Sequence, residues 1–154
     1  MIFVGEDVWM EGYDTFLEIN KLFDNKLKTF IVKSEKGEHI SDIRLSELYQ
    51  QSKIVVVLGR LDPFSMIPWE GMASGAVPVI VNEGGVVDAI ENKKNGFIVE
   101  RNAIKLKKII ETLLDDEKLR NKISIQGRKD IENKWNWDKS TKRLLEIYKK
   151  YYEK

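Results

Sequence analysis

Ile54-Val55-Val56-Val57-Leu58 is an unbroken aliphatic run between Lys53 and Gly59. It is too short for a helix and too β-branched to favour one, so it predicts a strand covered on both faces. Val77 to Val81 repeats the pattern, and Met1 to Val4, Thr29 to Val32 and Phe97 to Val99 are shorter versions of it. Between these runs the spacing changes. Phe16, Ile19, Leu22 and Phe23 recur at helical intervals after Asp14, and a brief helix is expected around Ser46 to Gln51. Pro68 to Ser74 suits a short helix ended by Gly75, and Gly84-Gly85 opens another through about Glu91. Asn95-Gly96 reads as a turn, and Glu35 to Ser41 as loop with one short edge strand near His39-Ile40. Strands alternating with helices predict an α/β chain: a Rossmann-like open parallel sheet of about five or six strands, flanked by helices.

The C-terminal end is expected to be helical. Leu106, Ile109, Ile110, Leu113 and Leu114 form a wide apolar stripe, and Asp115-Asp116 breaks and restarts the pattern. Trp135 and Trp137 mark a bend before a last helix whose stripe is Leu144, Leu145, Tyr148, Tyr151 and Tyr152. That stripe is expected in the core, with any exposed part facing a partner domain. The cations of Lys149-Lys150 and Glu153-Lys154 read as a solvated helix end beside its negative dipole. At 154 residues without repeat or linker, the expectation is a single domain over residues 1–154.

Composition removes several function classes. Lys plus Arg total 26 against 25 for Asp plus Glu, giving a net charge of +1 and no electrostatic case for a nucleic-acid partner. Without cysteine there is no disulfide scaffold, thiolate zinc site or Cys nucleophile, and one histidine, His39, excludes a multi-histidine metal centre. His39 itself reads as a polar loop residue. No apolar run approaches the ~20 residues of a membrane span. The opening residues lack a signal peptide's basic start, so a cytoplasmic location is expected, peripheral to a membrane only through a partner.

An open parallel sheet binds ligands at the carboxyl ends of its strands. Three segments converge there: Gly5 to Gly12, Gly59 to Glu70 and Asn82 to Asp88. The second leaves a buried strand and enters a helix, whose free N–H groups favour phosphate or hydroxyl oxygens. Asp62 and Glu70 are two carboxylates suited to accept from a vicinal diol, as acidic residues do for a ribose. On chemistry alone, Asp62 can equally cap the turn and Glu70 can be a surface helix residue.

Asp62-Pro63-Phe64-Ser65-Met66-Ile67-Pro68-Trp69-Glu70-Gly71-Met72-Ala73-Ser74-Gly75, with the strand after it, resembles the nucleotide-sugar site of glycosyltransferase family 4, the retaining group 1 transferases of the GT-B fold. That family carries Glu-Pro-Phe-Gly-Leu, a second Glu eight positions after the first, and Ala-Met-Ala-x-Gly. Gly84-Gly85 with Asp88, Glu91 to Val99, and Trp137 before a long helix extend the resemblance, which runs from about Lys53 to Tyr152. It implies that Glu70 binds ribose hydroxyls and that Asp62 contacts the transferred sugar near the reacting carbon. Backbone N–H groups around Phe64, Ser65 and Met66 would hold sugar hydroxyls and phosphate, Arg60 stands at a position that is often basic, and Gly84 and Gly85 fall within the same site. The resemblance implies no metal and no cofactor: the substrate is a nucleoside-diphosphate sugar, its charge met by side chains and a helix dipole.

The sequence also departs from that pattern. Where the family places Gly-Arg and then Lys-Gly to neutralise the diphosphate, Gly5 is followed by Glu6 and Gly12 is preceded by Glu11. Two anions beside a diphosphate repel it by several kcal/mol unless they are protonated or turned away. Asp62 is one methylene shorter than Glu, and Ser65 replaces a Gly and narrows the approach to the backbone. About 20 residues between Val32 and Lys53 leave little room for one βα unit. The acceptor-binding N-terminal domain is expected on another segment or a partner subunit, so an isolated chain should turn over poorly. Two readings follow: the donor-binding half of a retaining glycosyltransferase, or a degenerate, non-catalytic relative that serves as a binding or scaffolding partner. A dinucleotide-dependent dehydrogenase is disfavoured because no G-x-G-x-x-G follows the first strand.

Overall fold

The computed structural model describes residues 1–5, 8–32, 40–60 and 62–152. Glu6, His39 and the tail pair Glu153-Lys154 lie outside the described residues. The two long aliphatic runs form β3 (Ile54–Val57) and β4 (Val77–Val81), every residue of which is buried. They pair in parallel, Ile54 opposite Val77 and Val57 opposite Ile80. Because successive side chains alternate across a strand, Ile54 and Val56 enter one apolar cluster while Val55 and Val57 enter another. A strand buried on both sides needs helices on both sides, and that requirement organises the rest of the chain.

The sheet has five strands in the order β2-β1-β3-β4-β5, all parallel, with β1 at Ile2–Val4, β2 at Phe30–Val32 and β5 at Phe97–Val99. The chain first moves outward from β1 to β2, then returns to add β3 on the other flank of β1. Right-handed crossovers then put the first helix on one face and the following ones on the other. Accordingly α1 (Tyr13–Leu22) packs Phe16 and Ile19 into one cluster, while α2 (Asp42–Gln50) and α3 (Ile67–Ala73) place Leu48, Tyr49, Trp69 and Met72 in the second. Helix α4 (Ala103–Asp115) returns to the α1 face with Leu106, Ile110 and Leu113, and α5 (Glu117–Lys134) follows it.

Local chemistry sets the boundaries. Asn102 caps α4 by accepting from the Lys105 amide at 3.0 Å, and Asp116 caps α5 by accepting from Leu119 at 2.8 Å. The Asn95-Gly96 turn is tied down by the Asn95 side-chain amide, which donates to the buried Asp130 carboxylate at 2.9 Å.

Four expectations change. Helix α2 begins at Asp42 rather than near Ser46, because Ser41 accepts from the Arg44 amide and caps it. Ile40 is not in a strand, and the segment from Gly84 to Glu91 is a short 3-10 turn, Gly85–Ala89. The tail stripe is not core: Leu144, Leu145, Tyr148, Tyr151 and Tyr152 on α6 (Trp137–Tyr152) are all exposed, and no residue of α6 is buried. By then α1 to α5 already cover both faces of the sheet. No helix among the described residues is long and apolar enough to cross a membrane.

Ile110 and Leu145 make a matched test of this layering. Ile110→Ala should cost roughly 2–5 kcal/mol, because it opens a cavity in a fully buried cluster. Leu145→Ala should stay within about 0.5 kcal/mol. Thermal unfolding of the two variants measures the contrast directly.

Candidate functional site

The carboxyl ends of β1 and β3 diverge where the strand order reverses, which opens a crevice at that edge. Gly5 ends β1 by donating to the Val32 carbonyl at 3.0 Å. After a 3-10 turn at Trp9–Glu11, the chain enters α1 through Gly12, whose φ is +75°. A Cβ on Gly12 would stand 2.0 Å from the Leu58 carbonyl oxygen, so the start of α1 presses directly onto the end of β3. The Arg60 amide closes the same joint by donating to the Met10 carbonyl at 2.6 Å.

Arg60 is committed to its neighbours. Its guanidinium makes a two-point pair with Asp14, at 2.8 and 2.9 Å, and also donates to the Trp9 carbonyl. It lies 4.3 Å from the centroid of the Trp9 ring as well. Hydrogen bonding from Arg60 holds the Asp14 carboxyl below its ordinary value. Glu11 folds back over β1: its Cβ and Oε2 lie 3.2 Å from where a Gly5 Cβ would be. Its carboxylate therefore lines the sheet edge, and it has no ion-pair partner among the described residues.

Asp62 shapes the second loop locally. Its Oδ1 accepts from the Phe64 amide at 3.0 Å, an Asx turn that aims the chain toward α3. The Phe64 N–H is therefore engaged, contrary to the expectation that it is free for a ligand. The Ser65 and Met66 amides have no partner among the described residues. The Asp62 carbonyl accepts from the Gly85 amide at 3.1 Å. A Cβ on Gly84 would lie 2.1 Å from the Asp62 carbonyl oxygen, and one on Gly85 would lie 2.0 Å from that of Pro63. The Gly84-Gly85 pair thus supports the Asp62-Pro63 segment from beneath by backbone contact.

Glu70 lies in the first turn of α3, where a carboxylate is favoured by the helix dipole. Its Oε2 accepts from the Tyr49 hydroxyl of α2 at 2.9 Å. Tyr49 is almost wholly buried, and burial, followed by the Glu70 charge and the hydrogen bond, pushes its phenol well above the ordinary value.

Arg101, just beyond β5, was not singled out by sequence pattern. It makes a two-point pair with Glu83, both contacts at 2.8 Å, and donates to the carbonyls of Leu58 and Gly59 at 2.8 and 3.2 Å. It also reaches Thr15 of α1 at 3.3 Å. One guanidinium thus joins the ends of β3 and β4 to α1. A positive charge two residues past the carboxyl end of a strand is the signal available in the sequence. Tyr49 gave no such signal, since an aromatic on a helix reads as core.

Among the described residues, the charges at this edge that lack an ion-pair partner are anionic. Arg60 and Arg101 are both paired, whereas Glu11, Asp62 and Glu70 have no cationic partner among the described residues. No group of three or more potential metal ligands occurs among the described residues. Beside the loop, Phe64 and Trp69 lie 4.7 Å apart and Trp69 and Trp135 5.6 Å apart. With Met66 and Trp137 they line a cavity of about 220 Å³.

Residues 34–130, more than half of the chain, match the family described as glycosyl transferases group 1. The chain belongs to that family. It is 28% identical over 106 residues to a glycosyltransferase of Methanocaldococcus jannaschii, MJ1607, covering 68% of this chain and 27% of the relative. To the capsular polysaccharide biosynthesis glycosyltransferase CapM of Staphylococcus aureus it is 32% identical over 100 residues, covering 64% of this chain and 26% of that protein. Its fold is similar to the C-terminal domain of the group 1 glycosyl transferase LpcC from Francisella tularensis. The TM-score is 0.79 at 18% identity, over 88% of this chain and 86% of that domain. It is also similar to Anabaena HepE, solved with UDP-glucose, with a TM-score of 0.70 at 19% identity, over 97% of this chain and 40% of that one. The match takes in 27%, 37% and 47% of the length of three curated relatives, so the chain spans less than half of each.

The three expected segments do meet at one edge. Asp62, Phe64, Ser65, Met66 and Glu70 lie along a single loop-to-helix path, Gly84 and Gly85 brace it, and Gly5, Glu11 and Arg60 border it. Glu6 lies outside the described residues.

Hydrogen bonding from Arg101 is the main reason the Glu83 carboxyl titrates below its ordinary value of 4.5. A lowered folded value means that the pair's stabilisation is complete above pH 4.5 and is lost as pH falls through the lowered value. Arg101→Gln should therefore lower the unfolding temperature at neutral pH and flatten its decline in acid. Unfolding curves from neutral pH to about pH 3 test both effects.

Proposed function

We propose that this domain, residues 1–154, binds a nucleoside-diphosphate sugar at the carboxyl edge of its sheet, as the donor-binding part of a retaining glycosyltransferase. The observation that carries this reading is the held pair of carboxylates on the Gly59–Glu70 path. Asp62 is fixed by its own turn and by Gly85, and Glu70 by Tyr49, in a chain whose residues 34–130 match the family. A solved neighbour of the same fold, HepE, carries UDP-glucose.

Glu70 would accept from the ribose hydroxyls, and Asp62 would place the transferred sugar. The Ser65 and Met66 amides, together with the start of α3, would face the sugar hydroxyls and phosphate oxygens. The bond between the anomeric carbon and the diphosphate oxygen breaks as the nucleoside diphosphate leaves, stabilised by those amides. An acceptor hydroxyl attacks the oxocarbenium-like carbon from the same face, and its proton passes to the departing phosphate oxygen. No metal and no cofactor takes part. The groups that orient the acceptor would come from another domain or a partner subunit, so the domain alone would be a poor catalyst.

Two observations favour the second reading, a non-catalytic binding or scaffolding domain. Glu11 lines the edge where a cation is expected, and Arg60, at a position often basic in the family, is paired with Asp14. A diphosphate would have to draw Arg60 away from that carboxylate or bind beside unopposed anions.

Calorimetric titration with UDP, GDP and ADP and their sugars, at low salt and without metal, tests the donor reading. The expected outcome is that one base class binds between micromolar and low millimolar concentration and that Glu70→Ala abolishes the signal. Glu6→Arg combined with Glu11→Lys should tighten that binding at least several-fold. If no nucleotide binds either the natural chain or this charge-reversed variant, the donor reading fails.

A further inference from the structure

We infer that Tyr49 is a positioning residue that sets ribose recognition, by holding one oxygen of the Glu70 carboxylate and leaving the other to the ligand. The inference rests on the donor-site reading of Glu70 and goes beyond it by assigning a second residue to its specificity. Tyr49 is 2% exposed, and its hydroxyl donates to Glu70 Oε2 at 2.9 Å. The other oxygen, Oε1, has no protein partner among the described residues. A buried phenol donating to a carboxylate is a charge-assisted hydrogen bond, stronger and more directional than one between neutral groups. Its cost if broken is high on both sides, since a buried hydroxyl and a half-buried anion would each lose a partner. The Glu70 side chain is therefore held in one orientation before any ligand arrives, which lowers the ordering cost of binding.

The same geometry sorts ligands. With Oε2 held by the phenol, Oε1 has no donor among the described residues and suits a ligand hydroxyl. Another carboxylate or a phosphate at that point would meet the Glu70 charge without a proton between them. Glu70 thus reads the neutral diol of a nucleotide, while the loop amides at Ser65 and Met66 face its anionic part. Tyr49 lies on α2 and Glu70 on α3, so the contact also couples the site to how these two helices pack over β3.

Tyr49→Phe removes the hydroxyl and keeps the ring that fills the core. The measurement is the affinity for UDP, GDP and ADP, each compared with its 2′,3′-dideoxy analogue, in the natural chain, in Tyr49→Phe, in Glu70→Gln and in the double variant. The natural chain should prefer the ribose form of its nucleotide by at least tenfold. Tyr49→Phe should shrink that preference roughly three- to tenfold while leaving affinity for the dideoxy analogue unchanged. In the Glu70→Gln background, Tyr49→Phe should have little further effect on the preference. A loss that falls equally on ribose and dideoxy forms would mark Tyr49 as merely structural and overturn the inference. So would an unchanged preference in a folded Tyr49→Phe, or independent effects in the double variant. If Tyr49→Phe does not fold alone, the double variant, in which the orphaned charge is gone, decides by whether it differs from Glu70→Gln. If neither the natural chain nor its Glu6→Arg, Glu11→Lys variant binds any of the three nucleotides, the donor reading itself fails, and the inference with it.

Discussion

Burial of β3 on both faces is the constraint from which the rest of the structure follows. Ile54 and Val56 need one layer of helices and Val55 and Val57 another. Neither layer can be supplied without crossovers of the βα kind. Those crossovers make the strands parallel, and parallel strands send their carboxyl ends to a common edge. The position of the site is thus a consequence of core packing. Close backbone approaches then fix its shape: Gly12 against Leu58, and Gly84 and Gly85 against Asp62 and Pro63. At each of these positions a side chain would force apart two loops that the site needs in contact.

The charged groups at this edge fall into two sets. Arg101 with Glu83, and Arg60 with Asp14, are internal pairs that bind loops to one another. Both pairs are partly exposed, so their worth lies more in fixing geometry than in stability. The second set, Glu11, Asp62 and Glu70, has no cationic partner among the described residues, and only Glu70 is held by a group on another element. This surplus of negative charge is what separates the two functional readings, because it opposes a diphosphate and leaves a neutral sugar or ribose unaffected.

The fold class was legible because hydrophobic period is a local property: two continuous β-branched runs, three shorter ones and intervening helical stripes admit few arrangements. Most strand positions follow from it directly. The Ser41 cap of α2 is local as well, a Ser-Asp start beside a weak apolar stripe. The exposed stripe of α6 was not legible. Leu144, Leu145 and Tyr148 have the spacing of a core helix, and only the prior occupation of both sheet faces by α1 to α5 excludes them.

What the sequence determined by itself was the alternation of strands and helices and the loop that carries Asp62 and Glu70, since both depend on residues near one another in the chain. What only the tertiary structure decided was which partners those residues have. Tyr49 lies 21 residues before Glu70, Arg60 46 residues after Asp14, and Arg101 reaches Leu58 across 43 residues. Such contacts leave no periodic trace, because they depend on where the sheet places the ends of its strands.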